Sequence, residues 1–260
     1  MFAIFKRDFV SYFTTPTGYV FMAIFLAVNG GLFSLMTLQA GNQSSVEGYF
    51  SILVLVLAIV IPVLTMKSFS EEKKQRTEQL LLTSPVSIGK IVTGKFLSVF
   101  SIFSGTFILG TVFNFAVFHH FASDNLYAWV VEDAKREGAI TRFDVFSHFV
   151  YSILGPVIAV LLLGAAFAAV GIFVSSMTEN QLVSLVGSVA FMLVFLLIGA
   201  FNNYIPFAPL REMLSWISVY SRFGNFVYGI FDISAILYYA SICFVFLFLT
   251  VRIYERRRWA

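Results

Sequence analysis

Between Met66 and Pro85 the chain gathers Lys67, Glu71, Glu72, Lys73, Lys74, Arg76 and Glu78, with a long stretch that carries no charge before it and, past Lys90 and Lys95, another after it. Side chains of mixed sign at this density make ion pairs and charge-assisted hydrogen bonds rather than covalent bonds. Glu72 and Arg76 stand at i, i+4 in the favourable order and Glu71 and Lys74 at i, i+3, so the segment is expected to be helical and to pair its own charges. Thr83-Ser84-Pro85 ends it, because the residue before a proline is pushed out of the α region. A charge run is ordinarily a solvated loop. Here the length, the pairing and the apolar Leu80-Leu81-Leu82 favour a helix that docks on something.

The other reactive residue types are sparse. His119 and His120 are adjacent, so on a helix they diverge, and no Cys or Glu-x-x-His partner accompanies them; they read as an interfacial polar pair rather than metal ligands. The single cysteine, Cys243, lies in an apolar run, forms no internal disulfide and reads as a small buried hydrophobe. The sequence has no Gly-x-Ser-x-Gly, no His-Glu-x-x-His and no phosphate-binding loop ending in Lys-Ser or Lys-Thr. Membrane enzymes and ion-coupled transporters keep ionisable residues at bilayer depth, and the apolar stretches here have none. Nor do they offer a polar stripe for a pore. The chain is therefore not expected to be catalytic; if it transports, the energy comes from elsewhere.

What positions the charged segment is a membrane domain. Only 12% of the residues are charged, against the roughly 25% that a soluble surface needs, and mean hydropathy is +0.88. The expected fold class is an all-α integral membrane protein. Six stretches suit spanning helices: 19–38, 50–66, 96–118, 150–174, 182–201 and 233–251, each near the required 20 residues and each free of Asp, Glu, Lys and Arg. The first is too long for a signal peptide and lacks an Ala-x-Ala-like site, so it reads as a retained helix. With the N-terminus inside, 12 of the 17 Lys and Arg residues fall on the cytoplasmic side, so both termini are expected in the cytoplasm. Topology explains these cations, and no nucleic-acid partner is called for.

Three segments remain outside the spans. Residues 1–15 place Phe2, Phe5, Phe9, Tyr12 and Phe13 on one side of a helix and Lys6, Arg7 and Asp8 on another, an interfacial amphipathic helix that Pro16 ends. It suits a plain anchor and a partner contact equally. In the outer loop 119–149, Leu126, Tyr127, Val130, Val131 and Ala134 share a helical face. In 202–232, Leu210, Met213, Leu214 and Ile217, then Phe223, Phe226, Val227 and Ile230, repeat helical spacing in two pieces too short to span. They read as a re-entrant or amphipathic hairpin at the outer face, as fit to cap a cavity as to pack ordinarily. Small residues in span four (Gly164, Ala165, Ala168, Ala169, Gly171, Ser175) invite close helix approach, within the chain or between chains.

Phe69-Ser70-Glu71-Glu72-Lys73-Lys74, Thr77 through Ser87, Gly94-Lys95-Phe96, Ser175 through Gln181, Gly229-Ile230-Phe231-Asp232 and Arg256-Arg257-Arg258-Trp259, in this order on six spans, resemble the ABC-2-type ABC transporter permeases, most nearly the gliding-motility-associated branch. The likeness covers nearly the whole chain. It implies a permease in the cytoplasmic (inner) membrane, most simply an exporter, working with a second permease copy as a homodimer or paralogous heterodimer. Two separate ABC ATPase subunits would bind ATP and Mg, this chain binding no cofactor itself. By motif position Phe69, Glu71, Glu72, Lys73, Arg76, Thr77, Glu78, Leu81 and Pro85, in a 67–85 coupling helix, would meet the ATPase, with Phe5, Lys6, Arg7 and Phe9 of the N-terminal helix beside them. Leu210, Met213, Leu214, Ile217, Phe223, Phe226 and Ile230 would form an outer gate. The sequence departs from the family in two places. Arg76 stands where the family often has Gly, and 123–147 looks like an insertion that suits an extracytoplasmic accessory protein. That insertion also keeps open an alternative, a non-transporting scaffold or mechanotransmitter of an envelope complex.

Overall fold

The computed structural model of the chain describes residues 1–38, 46–79, 83, 86–121, 142–201, 207, 211, 218–227 and 232–259. Among these residues every regular element is helical, and six helices are long and apolar enough to cross a membrane. The protein is a multi-pass membrane protein. α1 (Phe2–Thr14) is the amphipathic N-terminal helix; Thr15 is extended, and Pro16 opens α2 (Pro16–Phe33), where a missing N–H costs nothing. Span one ends in a π-helical turn, Ser34–Leu38. α3 (Val46–Thr65) is span two, and one turn residue, Met66, separates it from the short charged α4 (Lys67–Lys74). Spans three to five are α5 (Ile88–Phe121), α6 (Arg142–Met177) and α7 (Gln181–Phe201). The short α8 (Val219–Val227) then precedes span six, α9 (Ile233–Trp259).

Several helices run past the spans expected from hydropathy: α5 starts at Ile88, α6 at Arg142, and α9 continues to Trp259. Charge-free runs mark hydrocarbon depth. A helix need not stop where the hydrocarbon does, and Lys and Arg are good helix formers. In α3 and α6, 61% of the apolar window is buried, against 17% in α9, so spans two and four form the core and span six lies at the periphery. The small face of α6 is used within the chain. A Cβ on Gly164 would sit 2.1 Å from the Phe103 ring, and one on Gly171 would sit 2.2 Å from Thr65 Oγ1, so side chains of α5 and α3 pack directly on the bare backbone of α6.

Spans one to three also share a polar contact that the sequence reading did not anticipate. The Tyr49 hydroxyl donates to Asn29 Oδ1, and Asn114 Nδ2 donates to the same oxygen at 3.3 Å, all three side chains being buried. At the opposite end from the termini, α8 turns Val219, Phe223 and Phe226 into the bundle against α3, α6 and α7. The Tyr239 hydroxyl fixes it by donating to the Val219 carbonyl at 3.0 Å. Of the expected outer hairpin, Leu210, Met213, Leu214, Ile217 and Ile230 lie outside the described residues, as do 122–141 of the outer loop and the side chains of His119 and His120.

Candidate functional site

One end of the bundle collects α1, α4, the start of α5 and the ends of α6 and α9, so both ends of the chain meet there. α4 is bolted to the bundle along one face. The N–H groups of Phe69 and Ser70, in the first turn of α4, donate to Ser175 Oγ at 3.1 and 3.2 Å. Ser175 Oγ in turn donates to the Met66 carbonyl at 3.2 Å. Phe69 is buried, its ring 4.6 Å from that of Tyr254 in α9. Lys73, also buried, donates to the Ser176 carbonyl and lies over the Tyr254 ring.

A second face of α4 carries an ion network. Lys95 Nζ lies 2.8 Å from Glu72 Oε1, 3.2 Å from Asp8 Oδ2 and 2.8 Å from the Ser68 carbonyl, over the Phe69 ring. Arg7 reaches Glu72 at 2.9 Å and Asp8 at 2.8 Å. Burial works against the Arg7 charge, but hydrogen bonds to Asp8 and Glu72 and their charges outweigh it, holding the guanidinium above its usual range. Nearby, Tyr12 donates to the Leu64 carbonyl at 3.0 Å; burial raises its pKa, so the phenol remains a donor. Two carboxylates and two cations thus tie α1, α4 and α5 together with no net charge. Beside them an open cleft of about 560 Å³ is bordered by Arg7, Ser11, Lys67, Glu71, Gln75 and Thr77.

The expected continuous helix over 67–85 is interrupted. α4 stops at Lys74; the Arg76 N–H donates to the Lys73 carbonyl and the Thr77 N–H to the Glu72 carbonyl, at 3.0 and 2.9 Å. Arg76 has φ 57°. This is a Schellman motif with Arg76 at C′, the left-handed position that glycine fills most cheaply. The expected Glu72–Arg76 and Glu71–Lys74 pairs are replaced: Glu72 binds Lys95 and Arg7, while Glu71 faces Lys67 at 3.8 Å and accepts from Gln75 at 3.2 Å. Long-range partners outcompete the local ones because the helix packs that face inward. Past the corner Glu78 pairs with Arg257 of α9 at 3.1 Å.

Of the residues expected to meet a partner, Phe69, Glu72 and Lys73 are therefore held within the chain, whereas Arg76 is exposed and Glu71, Thr77 and Glu78 are half-buried. Leu81 and Pro85 lie outside the described residues. In α1, Lys6 and Arg7 are exposed, and Phe5 and Phe9 stack at 5.6 Å. Asp8, Lys95, Ser175, Ser176, Tyr254 and Arg257 are contributors that sequence reasoning did not assign to the site. Their shared signal was position: each lies outside the charge-free spans on the same expected side of the membrane. Among the described residues, no three His, Cys, Asp or Glu side chains gather as metal ligands would.

A family model for ABC-2 family transporter proteins matches residues 32–253. The chain belongs to the ABC-2 transporter family. The matched stretch holds α4, the Arg76 corner, Lys95 and the Ser175–Ser176 pair; α1 precedes it, and Tyr254 and Arg257 follow it. Membership makes the protein a membrane transport subunit, of a kind that partners with ABC ATPase subunits. The match does not distinguish the gliding-motility branch within this ABC-2 family. No curated protein matches the chain.

Proposed function

We propose that this ABC-2 permease is the membrane subunit of an ATP-driven exporter and takes its energy from two ATPase subunits docked where both chain ends meet. That end faces the cytoplasm of an inner membrane, because 12 of 17 cations cluster towards it in the N-in, C-in arrangement. ATP and Mg bind the partners, and a second permease copy, identical or paralogous, completes the path. The observation that carries this reading is the exposed rim Lys74, Gln75, Arg76 and Gln79 on a segment whose other faces are tied to α1, α5, α6 and α9. A push on that rim displaces packed helices as rigid bodies, and the movement reaches the outer segment 206–232 through α6 and α7, on which α8 rests.

The test is retention of an ABC ATPase by the affinity-tagged full chain. Lys74→Glu, Arg76→Glu and Gln79→Glu together should weaken retention by about tenfold, equivalent to roughly 1.4 kcal/mol, with an unchanged melting temperature. Full retention by the triple variant would sink the docking assignment. Failure of the wild-type chain to retain any ABC ATPase would sink the exporter reading.

A further inference from the structure

Two clefts open beside α4, and their charges differ. The one next to α1 is balanced: Arg7, Lys67 and Lys95 stand with Asp8, Glu71 and Glu72. The other, of about 400 Å³, lies between the Arg76 corner and the connection from α6 to α7, and Lys73, Lys74, Arg76, Glu179 and Asn180 border it. Three cations there meet one carboxylate. Lys73 is the buried one, 8% exposed, and its ammonium donates to the Ser176 carbonyl. The Tyr254 ring is 6.0 Å away, at the outer limit of a cation–π contact. Among the described residues no carboxylate lies within ion-pair distance of Lys73, whereas Lys95, also buried, has two. Burial, and then the nearby Arg257 charge, works against the Lys73 ammonium; Glu78 and Glu179 offset this only in part, and its pKa is lowered to about 8. A buried charge of this kind is costly until an anion reaches it.

Lys74 and Arg76 are exposed at the mouth, so the pocket opens within the docking rim assigned above. Resting on that docking reading, we propose that the pocket receives an acidic side chain of the ATPase, whose carboxylate becomes the counter-ion of Lys73. A lipid phosphate has the right charge, but a docked ATPase would cover the mouth. Lys73 then selects the partner: an ATPase without an acid at this point would bury the ammonium further and be rejected. Docking is also tied to protons. The free chain loses the Lys73 proton as pH rises through about 8, and an adjacent carboxylate raises that value, so docking is complete below it and weakens above it.

The test is retention of the ABC ATPase by the affinity-tagged full chain from about pH 7 to about 9.5, where wild-type retention should fall by up to about tenfold per pH unit above the Lys73 pKa. Glu78, Glu179, Tyr254 and Arg257 face the same amine, with Lys74 and Arg76 at the mouth, so Lys73→Met is the control that isolates its titration. At neutral pH Lys73→Met should weaken retention about tenfold, and its profile should lose the decline above the Lys73 pKa. The isolated variant should melt no lower than wild type, since no ion pair is broken. In the wild-type complex a carbodiimide, which joins an amine to a carboxylate in contact with it, should link Lys73 or Lys74 to an Asp or Glu of the ATPase. Unchanged retention in Lys73→Met, the same pH profile in both chains, a large fall in the melting temperature of the isolated variant, or links formed only elsewhere overturns the inference. So does a delipidated wild-type chain that phosphatidylglycerol stabilises and phosphatidylcholine does not, with no such effect in Lys73→Met, which assigns the pocket to a lipid headgroup. A wild-type chain that retains no ATPase at any pH overturns the transporter reading, and the inference with it.

Discussion

Replacing Lys95 by Met keeps the aliphatic stem and removes the ammonium at the centre of the α1–α4–α5 junction. Only 4% of the Lys95 side chain is exposed, and its Nζ is bonded to two carboxylates and a carbonyl. Removing one partner of a buried ion pair costs roughly 3–5 kcal/mol, because the other charge is stranded. Arg7 stays at 2.9 Å from Glu72 and 2.8 Å from Asp8, but it is half exposed and offsets only part of the loss. The low end, about 3 kcal/mol, is the expected cost. At about 2–4 °C per kcal/mol, thermal unfolding of the detergent-solubilised chain, followed by tryptophan fluorescence, should fall by roughly 6–12 °C. Adding Glu72→Gln to Lys95→Met removes the stranded carboxylate and leaves a neutral Arg7–Asp8 pair. The double variant should therefore melt above the Lys95→Met single. A single variant within about 1 kcal/mol of wild type, the range of a surface pair, would refute the burial argument. A double variant that melts lower than the single would refute the charge-stranding argument.

Arg76→Gly should stabilise the chain, since a left-handed non-glycine costs about 1–2 kcal/mol while the added freedom of glycine in the unfolded chain returns about 0.4–1; Arg76→Ala, which keeps the Cβ, should gain nothing in the same melt. Gly171→Ala should lose about 1–3 kcal/mol by overpacking, because its Cβ meets Thr65 Oγ1 at 2.2 Å and Thr65 Cβ at 2.8 Å; a wild-type melting temperature would show that spans two and four can separate freely. Tyr49→Phe should cost about 1 kcal/mol, within the range of roughly 0.6–1.7 for interhelical hydrogen bonds in membranes, and an unchanged melting temperature would remove the Asn29 contact from the list of span-one restraints.

The six spans were legible because each is a run of the right length without a charge, and insertion energetics leave little else for such runs to be. Their ends were not, because hydropathy marks only the charge-free runs and α5 and α9 carry Lys90, Lys95 and Arg252 to Arg258 on helix that continues beyond those runs. The charged segment was legible as helical in its first part, but not in its pairing. Spacing shows only neighbours within one helix, so it proposed Arg76 for Glu72. The actual partners, Arg7 and Lys95, stand 65 and 23 positions away. Arg76 was conspicuous only against the glycine of the resembling family, and the Schellman corner supplies the physical reason for that glycine. Asn29 and Asn114 gave no pattern at all, since isolated amides in apolar runs announce a contact only once the helices are packed.

The geometry also changes which charges matter for recognition. Counting residues in the 67–79 segment suggests a broad, highly charged docking face. Yet Glu72 and Lys73 turn inward, Glu78 is engaged by Arg257, and Glu71 is shared between Lys67 and Gln75. What stays outward is Lys74, Gln75, Arg76 and Gln79, a small and net positive rim. Interfacial charges steer and select partners more than they add affinity. A docked ATPase would therefore obtain most of its affinity from shape, at the cleft beside α1, and its specificity from this rim. The inward charges do something else: they hold α4 to α1, α5 and α6, and under the proposed docking that attachment would pass a small displacement at the rim on to those helices.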